Sequence, residues 1–321
     1  INWVDGAWGI GIAVLIVFFI WLYLSAKRVN LKRTAGAGLA LILLSLFAQS
    51  SSLALKKGDF YGGDYSIVNC DVGQGDALII RTGGKVAVVD VGREDPAIDE
   101  CLSGLGVTKI DLLVLTHYDL DHVGGVLGAI TGREVVSALV TPFRDNRPGA
   151  DSTQQLLAAR GIAMTQVERG MTGQLSDYKW LILAPSRGAV DAEDSNDAST
   201  SMYWESENVS LFTLADSGER AQLRMGSDYR SLFETGFGSR MVVVKVAHHG
   251  SADQAPELYE ALKADLALIS VGKDNSYGHP TQRTLDTLTL SGTQVLRTDE
   301  MGAIGITETD TGLEVSIAGR S

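Results

Sequence analysis

The chain has 321 residues, of which 45% are hydrophobic and 21% charged, and its formal net charge is −12. This is the composition of a globular protein with an apolar portion added. Two cysteines are too few for a disulfide framework, and the acidic charge counts against a surface that grips duplex DNA at long range.

The apolar portion lies at the N-terminus. Residues 8–26 contain no charged side chain over a length that can cross a bilayer, and residues 35–55 repeat this pattern. We therefore expect two transmembrane helices in residues 1–57 and a separate domain in residues 58–321. A cleaved signal peptide is the alternative, but it predicts a basic start and a shorter apolar core. Because the chain begins with Ile, we expect it to be a piece of a longer membrane protein.

The loop between the apolar stretches, KRVNLKRT, is basic. The positive-inside rule places it in the cytoplasm and residues 58–321 on the outer face of the membrane, although Lys56 and Lys57 weaken the asymmetry. The part of the chain after residue 57 holds 21 basic and 38 acidic residues, a net charge of about −17. This charge still allows a small metal-lined cleft that handles a phosphate. Cys70 and Cys101 are expected to be buried thiols, with one disulfide formed outside the cytoplasm as the alternative.

From about residue 65, short apolar runs alternate with glycine-rich and polar turns. Four segments between them are typical of helices: Asp95–Leu105, Ser152–Arg160, Pro256–Ala264 and Thr281–Thr289. The runs LLVLT and VVVKV are apolar on successive residues, which indicates strands covered on both faces. The pattern predicts one layered α/β domain, a sandwich with sheets inside and helices outside, and a polar loop over residues 184–200.

The segment THYDLDHVGG, residues 116–125, lies between an apolar strand and a helix start. Imidazole and carboxylate at a strand-to-helix turn suit zinc, manganese or iron, and His117, Asp119, Asp121 and His122 can converge on one spot. A calcium loop would use oxygen ligands throughout, a solvated turn would not depend on the spacing, and a helix cap would need only one or two of these residues. The three remaining histidines, His248, His249 and His279, each follow a predicted strand end, which favours the metal interpretation.

The HxDxDH pattern resembles the signature of the metallo-β-lactamase superfamily, with aspartate in place of the second histidine. More narrowly, seven blocks occur in the order found in ComEC-type competence proteins, the DNA-uptake channels of transformable bacteria: DVGQGDA, VVDVG, THYDLDHVGG, Asn196-x-x-Ser199, Leu214-Ala215-Asp216, KVAHHGS and NSYGHP. The resemblance covers residues 65 to about 305. It implies a four-layer αββα metallo-β-lactamase-like sandwich after the last two helices of a channel domain.

The resemblance also implies two divalent metal ions, zinc or manganese. One would be held by His117, Asp119 and one histidine of the His248–His249 pair, and the second by Asp121 and His122. Asp216 would bridge the two ions, and His279 would complete the second site or contact substrate. Asp90 would brace the ligand loop as a second-shell residue, with ordinary strand-end capping as the alternative.

Two departures from the family pattern concern the ligands. Ala215 stands where the family has glycine, and no histidine lies between His122 and His248. Asn196 and Ser199 are candidates for the missing ligand, for a phosphate contact, or for an Asx turn. Gln74 and Asp76, on the glycine-rich turn, and Ser251, after the histidine pair, are candidates for substrate binding.

Two metal ions would lower the pKa of bound water from about 15.7 to about 7 and supply the nucleophile for hydrolysis. Asp121, Asp216 and His249 are the candidate catalytic residues, and His249, His279 or Asp216 could protonate the leaving oxygen. The expected function is a phosphodiesterase or nuclease that acts on DNA outside the cell during transformation, with the membrane, the rest of the channel and other uptake machinery as partners. The alternatives are hydrolysis of another ester, such as an envelope phosphodiester or a lactone, and a non-catalytic module that binds single-stranded DNA.

Overall fold

The computed structural model describes residues 7–25, 32, 36–38, 55–57, 60–185, 195–309 and 312–319. The chain divides into two compact units, Ile1–Ala54 and Leu55–Ser321. In the first unit the structure describes one helix of 19 residues, α1, at Ala7–Ser25. No helix within the described ranges meets both the length and the hydropathy needed to span a bilayer. The two transmembrane helices stay a prediction, and most of the second, at 35–55, lies outside the described residues.

The second unit is built on two large sheets, whose strands we number in chain order. In its described residues the first sheet contains β1 Leu55–Lys57, β2 Ile67–Asn69, β3 Leu78–Thr82, β4 Lys85–Val89, β6 Leu112–Leu115, β8 Ser137–Val140, β9 Ala163–Gln166, β17 Ile304–Thr309 and β18 Gly312–Ile317. Their order across the sheet is β1-β18-β17-β2-β3-β4-β6-β8-β9. A short parallel pair, β5 Lys109–Ile110 and β7 Glu134–Val135, stands apart from it.

The second sheet keeps its strands in chain order, from β10 to β16. They are β10 Thr172–Leu175, β11 Tyr178–Ala184, β12 Ser201–Glu205, β13 Val209–Thr213, β14 Met241–Lys245, β15 Leu266–Ile269 and β16 Gln294–Arg297. The first four strands pair antiparallel, and β13 to β16 pair parallel. Of the loop predicted at 184–200, residues 186–194 lie outside the described part, and Asn196–Ala198 form a single 3₁₀ turn.

The helices of this unit cover the outer faces of the sheets. They are α2 Asp95–Gly104, α3 Leu120–Val123, α4 Val126–Ile130, α5 Pro148–Ala159, α6 Glu219–Asp228, α7 Arg230–Thr235, α8 Pro256–Leu262, α9 Gln282–Leu290 and α10 Thr298–Met301. Each of the four segments predicted to be helical contains a helix, whereas α6 and α7 were not predicted.

Alternation along the buried strands produces four layers. In β3, Ile79 packs in one hydrophobic cluster with Leu102 of α2, while Leu78 and Ile80 point to the opposite face and are also buried. In the second sheet, Val244 packs in a separate cluster with Leu258 of α8. Each sheet therefore has helices on one face and the other sheet on its second face, which confirms the predicted α/β sandwich.

Parallel pairing brings the carboxyl ends of five strands to one edge of the sandwich. Strands β4 and β6 run parallel in the first sheet, and β13, β14 and β15 run parallel in the second. The hydroxyl of Ser270, after β15, donates to the side-chain oxygen of Asn69, at the end of β2, over 2.7 Å. The two sheets therefore meet at this edge, which is where a layered α/β fold places its ligands.

Cys70 and Cys101 form a disulfide, so the expectation of two buried thiols was wrong. Cys70 follows β2 and Cys101 lies in α2, and both residues are buried. Their separation of 31 residues did not predict the disulfide, because the pairing depends on how α2 packs against the outer face of the first sheet.

We expect the variant with Cys70→Ser and Cys101→Ser to lose about 2–4 kcal/mol of the free energy of unfolding, because the cross-link restricts the unfolded chain. Urea unfolding followed by circular dichroism measures this loss. Wild-type protein unfolded with and without a reductant is the control. An identical urea midpoint in both conditions would mean that the disulfide does not stabilise the fold.

Candidate metal centre

Five side chains converge at the edge where the carboxyl ends of the strands meet. His117 follows β6, Asp121 and His122 lie in α3, Asp216 follows β13, and His249 follows β14. Two groups have ligand atoms within 4.8 Å of one another: His117, His122 and Asp216, and Asp121, His122 and His249. Asp216 lies between the groups, since its Oδ1 is 3.2 Å from Nε2 of His122 and its Oδ2 is 3.8 Å from Nε2 of His117.

Asp90 holds the ligand turn from behind. Its carboxylate accepts hydrogen bonds from the backbone N–H and the hydroxyl of Thr116, at 2.9 and 2.7 Å, and Nδ1 of His122 lies 2.8 Å from its Oδ2. A carboxylate at Nδ1 fixes the ring orientation and directs Nε2 toward the cluster. The geometry is that of the bracing role proposed for Asp90 from the sequence.

His249 is held by residues from both sheets. Its Nδ1 lies 3.0 Å from the carbonyl oxygen of Ser270 and 3.0 Å from Oδ1 of Asp76, and Lys245 contacts the same carboxylate over 2.7 Å. Asp76, Lys245 and His249 are all buried. Sequence reasoning missed Lys245, although a single lysine in the otherwise apolar run MVVVKVA is a signal for a buried, paired charge.

The backbone around the cluster is strained. Six non-glycine residues in the described part of the chain have positive φ, and four of them, Asp90, Ala215, His248 and His249, lie at this site. Residues other than glycine rarely adopt this backbone conformation, and it persists only where the surrounding structure enforces it. Ala215, with φ of 50°, occupies the position where the family has glycine, so this chain keeps a left-handed backbone despite the Cβ.

The glycine-rich turn lies against the ligand turn. A Cβ at Gly75 would be 2.3 Å from the backbone oxygen of Asp121, and the φ of Gly75 is +146°. The next residue, Asp76, donates its backbone N–H to that same oxygen over 3.1 Å. Glycine is required at position 75 because the two turns touch backbone to backbone.

Electrostatic interactions within the cluster are strong because its members are buried together. Burial lowers the pKa of His249, but the carboxylates of Asp76 and Asp216 outweigh burial and raise this pKa to about 9. In the same way, Asp216 and Asp90 overcome burial and hold the pKa of His122 well above its usual value. Burial raises the pKa of Asp216, but the surrounding imidazoles hold it well below its usual value. For His117, burial and the neighbouring His122 lower the pKa.

The donor set fits divalent metal ions. The Nε2 atoms of His117, His122 and His249 are buried and make no hydrogen bond in the described part of the chain, and the same is true of Oδ1 of Asp216. Buried polar atoms without partners are costly, and imidazole nitrogens with carboxylate oxygens are ligands for zinc, manganese or iron. The two groups share His122, and Asp216 lies between them, which is consistent with a dinuclear site. A third group, Asp76, Asp90 and His122, is excluded as a metal site because both of its carboxylates already bind protein donors.

One side of the cluster is open to solvent. The side chains of Asp119, Asp121 and His248 are 30%, 24% and 31% exposed, while those of His117, His122 and His249 are buried. Nε2 of His248 and Nε2 of His117 both lie near Oδ2 of Asp216, at 3.6 and 3.8 Å. The ring of His279 lies 5.5 Å from that of His248, and Tyr277 stacks on His279.

Several of the residues predicted to act in catalysis or substrate binding are buried or bonded within the domain. His249 is buried and faces Asp121, with Nε2 3.4 Å from Oδ2, within one group of candidate ligands. Asp76, assigned to substrate binding, is buried, and its carboxylate contacts Lys245 and His249. Gln74 accepts a hydrogen bond from the backbone of Gly272, and Ser251 is buried with its hydroxyl accepting from the backbone of Asp253.

The 195–200 segment lies beside the ligand turn, since the backbone N–H of Thr200 donates to the carbonyl of Thr116. Ser199 is buried, and Asn196 begins the 3₁₀ turn that ends at Ala198. Ser195 contacts a proposed ligand, since its hydroxyl donates to Oδ1 of Asp119 over 2.9 Å. Sequence reasoning missed Ser195. It also missed Arg147, which contacts Asp119, and Asp145, which contacts Arg147, because neither residue belongs to a recognisable motif.

Comparison with known proteins identifies the fold of this domain. Residues 70–159 match the model of the metallo-beta-lactamase superfamily. The structure is similar to the metallo-beta-lactamase fold protein YhfI from Bacillus subtilis, with 12% identity, a TM-score of 0.50, and coverage of 73% of this chain and 96% of YhfI. The domain has the metallo-β-lactamase fold. A mutant of the CmlA beta-hydroxylase is similar to the same degree, with 16% identity, a TM-score of 0.50, and coverage of 73% of this chain and 52% of CmlA.

Two curated relatives are competence proteins. The chain is 27% identical to ComE operon protein 3 of Bacillus subtilis strain 168 over 255 residues and 25% identical to competence protein ComA of Neisseria gonorrhoeae over 240 residues. Each alignment covers 73% of this chain, which spans about a third of the length of each relative. The domain therefore combines the metallo-β-lactamase fold with a His/Asp cluster suited to metal ions, and it is distantly related to competence proteins.

We expect the double variant Asp76→Asn, Lys245→Met to bind zinc or manganese about 10–100-fold more weakly, because it releases one anchor of His249 and leaves no unpaired buried charge. Isothermal titration of the chelator-treated protein measures this affinity. Lys85→Met, which removes an exposed lysine from β4, is the matched control. Equal affinities in the double variant and the control would rule out a role of Asp76 and Lys245 in metal binding.

The raised pKa of His249 predicts a pH dependence with a defined sign. Because folding raises this pKa from 6.5 to about 9, the proton stabilises the metal-free fold below pH 6.5, and this stability is lost as the pH rises toward 9. A metal ion must displace the same proton, so the apparent metal affinity should rise over that interval. Urea unfolding of metal-free protein and metal titration, each at pH 6.5 and pH 9, measure the two trends. A metal affinity that is constant between these pH values would contradict the assignment of His249 as a ligand.

Proposed function

We propose that the protein is a metal-dependent phosphodiesterase that cleaves DNA outside the cell during uptake for transformation. The observation that carries the proposal is the convergence of three buried Nε2 atoms, from His117, His122 and His249, on the carboxylate of Asp216. This donor set suits two divalent ions, with His117, His248, Asp216 and Asp119 around the first and Asp121, His122, His249 and Asp216 around the second.

Metal ions held in this way would supply a nucleophile at neutral pH and neutralise charge that develops on the phosphoryl oxygens. The chain's own residues orient the ligands: Asp90 directs His122, and Asp76 with Ser270 directs His249. The exposed side of the cluster, formed by Asp119, Asp121 and His248, is where a substrate can reach it. His279 lies next to His248 on that side and is half-buried. Burial and the neighbouring His248 lower its pKa, so it would meet the substrate as a neutral imidazole.

DNA as the substrate is supported by the two relatives that are named as competence proteins. A position on the outer face of the membrane is supported by the disulfide between Cys70 and Cys101, because disulfides persist in oxidising compartments. The membrane, the remainder of a channel protein and other uptake machinery are the proposed partners. The apolar stretches at 8–26 and 35–55 and the basic loop between them support the membrane anchor and this orientation.

The second candidate is a hydrolase of another ester, such as an envelope phosphodiester or a lactone. The net charge of about −17 after residue 57 favours it, because this charge repels a long polyanion. A non-catalytic module that binds single-stranded DNA has no comparable support, since such modules use basic tracks along the strand.

The test is cleavage of single- and double-stranded DNA by the purified protein with added Mn²⁺ or Zn²⁺. We expect cleavage by the wild-type protein and a loss of at least about 100-fold in rate for Asp121→Ala, because this change removes a metal ligand that lies at the open side. Glu134→Ala, which changes an exposed acid on β7, is the control for surface charge. Two bound metal ions without DNA cleavage would refute the nuclease proposal, and cleavage of a lactone or an envelope phosphodiester by the same protein would support the second candidate.

A further inference from the structure

Arg147 lies on the open side of the cluster, beside a proposed metal ligand. Its Nη2 is 2.5 Å from Oδ1 of Asp119, the same oxygen that accepts the hydroxyl of Ser195 and that faces His117 over 3.9 Å. The side chain of Arg147 is 50% exposed. A cation that is accessible to solvent therefore contacts a proposed metal ligand directly.

Asp145 fixes the position of this guanidinium. Nε of Arg147 donates to both oxygens of Asp145 at 2.9 Å, and Nη2 contacts Oδ2 at 2.5 Å. The backbone N–H of Arg147 donates to Oδ1 as well, over 2.9 Å. Because the side chain of Asp145 is only 2% exposed, the arginine is anchored at its inner edge and presents its outer edge to solvent.

The outer edge of the guanidinium has donors to spare. In the described part of the chain no hydrogen bond is made by Nη1, and Nη2 uses its second donor on Asp119. Nη1 therefore keeps its N–H groups free beside Asp119, on the side of the cluster that is open to solvent. Arginine N–H groups in such a position donate charge-assisted hydrogen bonds to the oxygens of a phosphate.

The charge of the surroundings favours such a residue for an anionic substrate. Asp119, Asp121 and Asp216 line the site, and the chain after residue 57 is strongly acidic. Lys245, which pairs with Asp76, is buried and cannot reach a substrate.

We propose that Arg147 binds a non-bridging oxygen of the substrate's phosphate group beside the metal ions and so selects phosphodiesters over uncharged esters. This inference rests on the proposed function, since it concerns the substrate of the same site. A purely structural role, in which Arg147 only positions Asp119, makes a different prediction: its loss would weaken metal binding and would affect charged and uncharged substrates alike.

The experiment compares two substrates of equal shape, a dinucleotide with an ordinary phosphodiester and its methylphosphonate analogue, which lacks the negative charge. The variant is Asp145→Asn with Arg147→Met, which removes the anchored cation without leaving a buried carboxylate unpaired. Arg147→Lys is the conservative variant, and Arg160→Met, an exposed arginine just beyond the other end of α5, is the matched control.

We expect the double variant to raise KM for the phosphodiester about 10–100-fold, which is the loss of a charge-assisted hydrogen-bond pair, and to change the hydrolysis of the methylphosphonate less than about threefold. Arg147→Lys should recover part of the loss, and the content of bound metal should be unchanged in every variant. Equal effects on both substrates, or a loss of bound metal, would overturn the inference in favour of the structural role.

Binding of inorganic phosphate to the metal-loaded protein, measured by isothermal titration, separates this inference from the proposed function. Weaker phosphate binding by the double variant supports the role of Arg147 even if the wild-type protein cleaves no phosphodiester, in which case the proposed function alone fails. Phosphodiester cleavage and phosphate binding that are both unchanged in the double variant would refute the role of Arg147 and leave the proposed function standing.

Discussion

The ion pair between Lys245 and Asp76 is the interaction on which the site depends. Lys245 is the last residue of a central strand of the second sheet, and Asp76 lies on a turn of the first. The pair joins the two sheets at the edge where ligands from both must meet. Its desolvation is unfavourable and is offset only because the ammonium is held between both carboxylate oxygens and because one of them also contacts His249. The same carboxylate thus sets the distance between the sheets and the direction of an imidazole.

Backbone strain has a parallel role. Asp90, Ala215, His248 and His249 adopt left-handed conformations, and each follows a strand of the parallel edge. A chain that leaves a buried strand in the ordinary extended direction would carry its side chains past the cluster. The left-handed residues turn the chain back, so that side chains from three strand ends, those of β4, β13 and β14, point toward one position. The strain is sustained by the packing of the sandwich, which supports the view that rigidity here serves function.

Much of this arrangement could be predicted from the sequence. Successive apolar residues identified the central strands, and the placement of all five histidines just after strand ends located the site, because parallel strands bring their carboxyl ends together. Pattern alone could not determine which atoms meet. It assigned Asp76 to the substrate and His249 to acid catalysis, because a motif gives the spacing of residues but not the face on which a side chain is buried. Arg147 and Asp145 belong to a loop without periodicity and left no signal in the sequence. The disulfide was only the alternative to two buried thiols, because the pairing of the cysteines depends on helix packing.

The similar proteins also show that the fold alone does not identify the reaction. The metallo-β-lactamase fold is shared with a beta-hydroxylase, so the layers by themselves do not determine a reaction. In this chain the chemistry is carried by a small set of side chains and by the residues that orient them. That set combines a buried group of imidazoles with an open side where carboxylates and one anchored arginine meet solvent.

The turn at Gly75 joins parts of the site that are made at different times during synthesis. The backbone of the glycine-rich turn contacts the backbone of the ligand turn. The residues of the cluster, together with Asp76, are spread along the chain from position 76 to position 249. During synthesis, the first half of the domain emerges with His117, Asp121 and His122 but without Asp216 and the later histidines. A nascent chain therefore offers a metal ion only part of its coordination shell, and tight binding waits until the second sheet has docked. Metal loading would then act as a checkpoint on completed folding, because only a chain with both sheets in place can retain the ions.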